Sequence, residues 1–258
     1  MNQKDYPRVT AAGAAIATLA ALLLFLFVPP IAQDENYHVF SDGHTLLGIP
    51  NFWNVISNLP FAFVGILGLR RLRGFTAQVL FSGVLLTCFG SIYYHLSPND
   101  SRLVWDRLPM TLVFMSFLFW VITEKQERPS LRVLLLLLFC GISSVVWWRM
   151  TGDLRPYVLV QFGPICLLLP ALWDAAGKKY LWAVFGFYLL AKAAEHFDPA
   201  IYSGLPISGH TAKHLLAACG SYCILRWRTA SNPGETIAPT APRADSIADW
   251  TPAAAELG

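Results

Sequence analysis

Five polar residues could do chemistry because they lie in or at the ends of long apolar stretches. Ser91 and His95 are four residues apart, Asp106 follows eleven residues after His95, and His210 and His214 are again four apart. Ionisable side chains within membrane helices are costly and are usually functional. Residues four apart share one face of a helix, so we expect each pair to direct its side chains at one point.

These residue types match a hydrolytic metal centre. Three imidazoles that leave one coordination position open form a catalytic zinc site. Zinc polarises a carbonyl and activates water, and a nearby carboxylate can carry the proton. The sequence therefore predicts zinc bound by His95, His210 and His214, with Asp106 as the proton carrier. In the alternative interpretation, the histidines only form hydrogen bonds between helices.

Two other chemistries compete with the zinc site. Ser91, His95 and Asp106 could form a serine-hydrolase triad, but no nucleophile elbow surrounds Ser91 and the triad leaves His210 and His214 unused. Histidines on two helices could also be axial ligands of haem. That site would not require Ser91 or Asp106, so we favour the zinc site.

The elements that position these residues are predicted to be membrane helices. The chain has 258 residues, of which 55% are hydrophobic and 14% charged, whereas about a quarter of the residues of a soluble domain are charged. The net charge of +3 gives no reason to expect nucleic acid as a partner. Eight apolar segments are candidate helices: Ala11 to Ala32, Phe52 to Leu69, Gly74 to Tyr94, Asp106 to Thr123, Val133 to Trp148, Pro156 to Trp173, Tyr180 to Glu195, and His210 to Trp227.

The order of these segments predicts where the five polar residues meet. Successive spans alternate in direction, so the third segment ends on the side of the membrane where the fourth and eighth begin. His95, Asp106, His210 and His214 should therefore gather at one membrane face. The spacing within each motif does not by itself require the residues to lie on the same side of the membrane.

The basic residues predict which face this is. Cytoplasmic loops carry an excess of Lys and Arg near helix ends. The bias is 12 against 4. The richer side has Lys4, Arg8, Arg70, Arg71, Arg73, Lys125, Arg128, Arg132, Lys178, Lys179, Arg226 and Arg228, and the other has Arg102, Arg107, Arg149 and Arg155. We expect both termini in the cytoplasm, in an inner (plasma) membrane protein whose site faces out of the cytoplasm.

The two ends of the chain are predicted to lie outside the main domain. Residues 1–32 form an additional transmembrane helix or, alternatively, a signal peptide, because Lys4 and Arg8 precede the apolar run. Residues 33–228 form the helical domain. Residues 229–258 are rich in Pro, Ser, Thr and Ala and are predicted to be disordered.

Further polar groups leave two interpretations open. Glu195, His196 and Asp198 end the seventh segment on the same face, where they could orient zinc ligands or form an ordinary solvated helix end. Asn54, Ser57 and Asn58 share one face of the second segment, which helix packing explains as well as catalysis does.

Ser91-x-x-x-His95, Asp106 and His210-x-x-x-His214 together resemble the signature of the alkaline ceramidases, which belong to the CREST superfamily with the adiponectin-receptor-like PAQR proteins. The residues that precede the first family helix also resemble the start of the ceramidase domain: Glu35-Asn36-Tyr37, Asn51-Phe52-Trp53-Asn54 and Ser57-Asn58. The resemblance covers roughly Asp34 to Trp227.

This resemblance implies an all-α integral membrane bundle of seven helices, to which Ala11 to Ala32 adds one. It also implies hydrolysis of the amide bond of ceramide or a related N-acyl lipid. His95, His210 and His214 would be the zinc ligands, Asp106 would activate water and protonate the leaving amine, and Ser91 would hydrogen-bond in the site. The expected partners are a lipid amide substrate and membrane lipids. The alternative functions are a non-catalytic PAQR-like receptor and a hydrolase of a different lipid amide.

One departure from the family concerns calcium. Eukaryotic members carry an acidic amino-terminal loop that binds calcium, and Asp34 and Asn36 resemble part of it. Ile31, Ala32 and Asn51 stand where aspartate, tryptophan and glutamate are usual. Calcium takes six to eight oxygen ligands. We therefore predict zinc and do not predict calcium.

Overall fold

A computed structural model describes residues 19, 21–126 and 128–236. Across these residues the secondary structure is helical, with two isolated bridges and no strand, which confirms the all-α class. The helices are α1 Phe52–Ile56, α2 Leu59–Arg71, α3 Phe75–His95, α4 Asp100–Thr123, α5 Leu131–Thr151, α6 Arg155–Asp174, α7 Lys178–His196, α8 Asp198–Gly204 and α9 Gly209–Ser231. Residues 21–27 are helical as well.

Four of the described helical segments are long and apolar enough to cross a membrane: Phe52–Arg71, which joins α1 and α2, and helices α3, α4 and α5. Their outward faces expose large apolar side chains, such as Phe139 and Phe89, that water would not favour. The chain is therefore an integral membrane protein. Membrane crossing by α6, α7 and α9, and with it the count of seven, stays a prediction.

The helices pack in two groups that share one interior. Helix α3 lies between α2 and α4, α4 also contacts α5 and α6, and α9 packs along α7 and reaches α1 and α2. The larger hydrophobic core includes the fully buried Phe81, Leu225 and Trp227. A smaller core around Tyr94, Leu103 and Trp148 lies at the end of the bundle where α3 ends and α4 begins. The carboxyl end of α3 is thus packed within a buried core.

Two differences from the predicted helix boundaries bear on the site. The segment predicted as one helix from Phe52 breaks between α1 and α2, where Pro60 follows in the first turn of α2 and cannot donate a backbone hydrogen bond. Helix α4 begins at Asp100 instead of Asp106, because the side chain of Asn99 caps it by accepting the Arg102 amide. Asp106 therefore lies in the second turn of α4, over the end of α3.

The predicted terminal regions lie mostly outside the described residues. Of the predicted first helix, Ala11 to Ala32, the structure describes residues 19 and 21–32, and of the predicted tail it describes residues 229–236. Here α9 continues to Ser231, and Arg228 and Glu235 form an ion pair after it. The remainder of both predicted regions lies outside the described residues.

Candidate metal centre

Three histidines from two helices meet in the interior. His95 ends α3, and His210 and His214 lie one turn apart at the start of α9. The three ring centroids are 4.9 to 5.0 Å apart, and one possible ligand atom from each histidine lies within 4.8 Å of the others. Within the described residues this is the one group of His, Cys, Asp and Glu side chains that could hold a metal ion.

Three ring nitrogens of this group lack protein partners. Both ring nitrogens of His95 and Nε2 of His210 are buried without a hydrogen bond. Buried polar atoms are nearly always paired in native proteins, so these nitrogens need a partner such as a metal ion. The ring of Phe40 covers the cluster, with its centroid 4.7 Å from that of His95 and 4.5 Å from that of His210. Three converging imidazoles fit zinc.

Helix α1 and the two residues that flank it make polar contacts with the helices that carry the histidines. The Ser57 hydroxyl lies 2.8 Å from Nδ1 of His214, and Asn54 Oδ1 accepts a hydrogen bond of 2.9 Å from the Thr211 hydroxyl. Asn51 Nδ2 donates to the backbone carbonyl of His95 at 2.8 Å. The polar face that the sequence left open between packing and catalysis therefore contacts the helices that carry the histidines.

The start of α9 is fixed by Asp198. Its Oδ1 accepts the backbone N–H of His210 at 2.8 Å, and its Oδ2 accepts that of Ser41 at 3.0 Å. Gly209 allows this approach, because a Cβ there would collide with the backbone of Ala194 and Asp198. Asp198 thus positions His210 through its backbone, whereas His196 is exposed and lies outside the histidine cluster.

Ser91 and Asp106 lie beside the histidines on two tightly packed helices. Ser91 is buried on α3, next to the Asp106 carboxylate on α4. Gly90 permits the contact, since a Cβ there would collide with the Trp105 carbonyl. A serine-hydrolase triad needs His95 to hydrogen-bond with both residues, yet both of its ring nitrogens lack partners. The geometry therefore favours metal chemistry.

A charged cluster near the centre joins Glu195, which the sequence singled out, to two lysines that the sequence analysis did not assign to the site. Glu195 accepts hydrogen bonds from Lys192 at 2.6 Å and Lys213 at 2.9 Å. The Tyr37 hydroxyl lies 3.5 Å from the same carboxylate. Burial raises the pKa of the Tyr37 phenol, and the Glu195 carboxylate raises it further, so Tyr37 stays neutral. Both lysines are ionisable residues in apolar segments, and that signal could have identified them.

A largely apolar cavity of about 260 Å³ opens beside the histidines. Ser91, Asp106 and His214 line one end, and Phe61, Phe117 and Ile224 line the deeper part. The lining runs along α4 from Asp106 to Phe117, which at 1.5 Å per residue is about 16 Å of helix. An extended apolar chain can therefore lie in the cavity with a polar group next to the centre.

A sequence model described as Ceramidase matches residues 36–173, which is more than half of the chain. The matched region contains Ser91, His95 and Asp106 and ends before His210 and His214. No curated protein matches the chain. The assignment of His210 and His214 to the site therefore rests on their position in the structure and not on the family match.

Proposed function

The chain belongs to the Ceramidase family, and we propose that it is a zinc-dependent intramembrane amidohydrolase. Its reaction cleaves the amide bond of ceramide or a related N-acyl lipid and releases a free fatty acid and a sphingoid-type amine. One observation carries the proposal: three buried histidines converge, and one of them, His214, lines an apolar cavity that also contains a carboxylate.

The ligands are His95, His210 and His214. When bound, zinc supplies a Lewis acid that polarises a carbonyl and activates water. Asp106, at the cavity wall, accepts the proton of the attacking water and returns it to the amide nitrogen as the C–N bond breaks. The Ser91 hydroxyl donates a hydrogen bond to the carbonyl oxygen as that oxygen gains charge.

The cavity supports a lipid as the substrate. Its deeper walls are apolar side chains of α2, α3, α4 and α9, which suit an acyl chain. With the chain in this part, the amide lies at the level of His214 and Asp106. The amine portion then points toward Tyr37 and Glu195, at the polar end of the cavity.

The test is a hydrolysis panel on purified, zinc-loaded protein. N-acyl lipids with one labelled acyl chain and different amine portions are incubated, and free fatty acid and free amine are both quantified. We expect the two products in equal amounts, with little release by Asp106→Asn. A protein that binds these lipids but releases no fatty acid from any of them would support the PAQR-like receptor alternative instead.

A further inference from the structure

The polar end of the cavity carries more positive than negative charge. Lys192 and Lys213 share a single carboxylate, that of Glu195, which accepts from both. Lys213 directly precedes the ligand His214, and all three charged residues line the cavity. This group alone therefore has one unbalanced positive charge close to the centre.

Arg107 adds a second cation without a carboxylate partner. It is buried, with 6% of its surface exposed, and it also lines the cavity. Its Nη2 donates to the Gln33 side chain at 2.6 Å, whereas its Nη1 is buried without a hydrogen bond. Among the residues that the structure describes, no ion pair to Arg107 is found. A buried charge without a partner is costly, which indicates a site that a ligand completes.

Aromatic rings hold this guanidinium in place. Its central carbon lies 4.2 Å from the Trp148 ring centroid, 4.8 Å from that of Tyr157 and 5.6 Å from that of Tyr37. Tyr37 also contacts Glu195 through its hydroxyl. Tyr37 therefore links Arg107 to the lysine pair, and all three cations line the same cavity.

The acidic groups nearby do not cancel this charge. Three cations face two carboxylates, Glu195 and Asp106, and under the proposed function Asp106 is occupied with proton transfer. We infer that the amine portion of the substrate carries an anionic group, a carboxylate or a phosphate, bound by Arg107 Nη1 together with Lys213 and Lys192. The inference rests on the proposed function and narrows its substrate class to acidic N-acyl lipids. Guanidinium and ammonium donors form strong hydrogen bonds with either group.

The test compares three amides of the same acyl chain with the wild-type protein. N-oleoylglycine carries a carboxylate, N-oleoylphosphoethanolamine a phosphate, and N-oleoylethanolamine a neutral hydroxyl of nearly the same size. We expect kcat/KM to be roughly tenfold to hundredfold higher for at least one of the acids than for the neutral amide. The acidic amide with the larger increase in kcat/KM identifies the preferred anion.

Variants then locate the effect. Arg107→Met and Lys213→Met should each reduce the preference for the acid over the neutral amide by about tenfold, mainly through KM. Lys179→Met, an exposed lysine at the other end of α7, should leave the preference unchanged. The wild-type comparison needs no variant, so a variant that fails to fold does not remove the test.

The outcomes separate the inference from the proposed function. Equal kcat/KM for the acidic and neutral amides contradicts the inference and leaves the amidohydrolase proposal standing. An acid preference that persists in both variants contradicts the assignment of the anion to these cations. If the protein hydrolyses neither these three amides nor any other N-acyl lipid, the proposed function is overturned, and the inference falls with it.

Discussion

The hydroxyl of Ser57 lies 2.8 Å from Nδ1 of His214. Ser57 donates its own hydrogen to the backbone carbonyl of Asn54, at 3.2 Å, so its oxygen can accept the Nδ1–H of His214. A histidine protonated at Nδ1 presents the lone pair of Nε2. This contact thus selects the tautomer in which Nε2 of His214 can bind a metal ion.

Removing the Ser57 hydroxyl should weaken metal binding without removing a ligand. We expect Ser57→Ala to lower zinc affinity by about 10- to 100-fold, as loss of a hydrogen bond to a ligand histidine typically does. Ser57→Thr, which retains the hydroxyl, should restore most of the affinity. Competition with a chelator of known affinity measures the change.

Ser144→Ala is the matched control, because Ser144 is equally buried but hydrogen-bonds to Gly141 in α5. It should bind zinc as the wild type does. If Ser57→Ala bound zinc as tightly as Ser144→Ala, Ser57 would have no part in selecting the tautomer.

The closeness of α3 and α4 at Gly90 should be essential for activity. A methyl group at this position would collide with the Trp105 carbonyl, next to Asp106. We expect Gly90→Ala to separate the two helices and to reduce turnover by at least about 10²-fold, because small displacements of catalytic groups are that costly. Gly163→Ala on α6 meets open space and should retain activity. Comparable turnover in the two variants would show that the approach is not needed.

The sequence identifies the histidine cluster better than the groups that support it. His95, His210 and His214 are predicted from their spacing and from the alternation of spans, which together place them at one membrane face. Asp198 and Phe40 are not predicted in their observed roles, because their contacts depend on how each helix is rotated and where the loops cross. In helices that are apolar on all sides, the hydrophobic pattern does not indicate which face is buried, so the rotation cannot be predicted from it.

The contact between the amino-terminal segment and the loop after α5 should weaken in acid. Asp153 accepts the backbone N–H of Ile31 and pairs with Arg155, which itself donates to the Val28 carbonyl. The Arg155 guanidinium lowers the pKa of Asp153 to about 2. Because the folded pKa lies below the ordinary value of 3.8, the stabilisation is complete above that pH and is lost as pH falls toward 2.

Asp153→Asn should imitate the acid state at neutral pH. We expect its melting temperature in detergent to be lower than that of the wild type by a few degrees, since about 1 kcal/mol corresponds to roughly 2–4 °C in a domain of this size. The difference should shrink as the pH falls from 5 toward 2. A difference that stays constant across this range would exclude ionised Asp153 as its source.

The site is predicted to face out of the cytoplasm. Contacts bring basic segments together at the opposite end of the bundle: the Arg73 amide donates to the Glu235 carbonyl, Arg228 pairs with the Glu235 side chain, and Arg226 donates to Tyr180. The excess of Lys and Arg there predicts a cytoplasmic location. Alkaline phosphatase inserted near Asp100 should be active, and fused after Thr236 it should be silent. The reverse pattern would place the centre on the cytoplasmic face.

Metal content measured on the same samples as lipid-amide hydrolysis tests the central claim most directly. We expect about one zinc per chain in the active wild type and loss of both zinc and activity in His210→Ala. Asp106→Asn should retain zinc but lose about 10²- to 10⁴-fold in turnover. Purified protein that hydrolyses N-acyl lipids without bound zinc, or full activity in His210→Ala, would contradict the account.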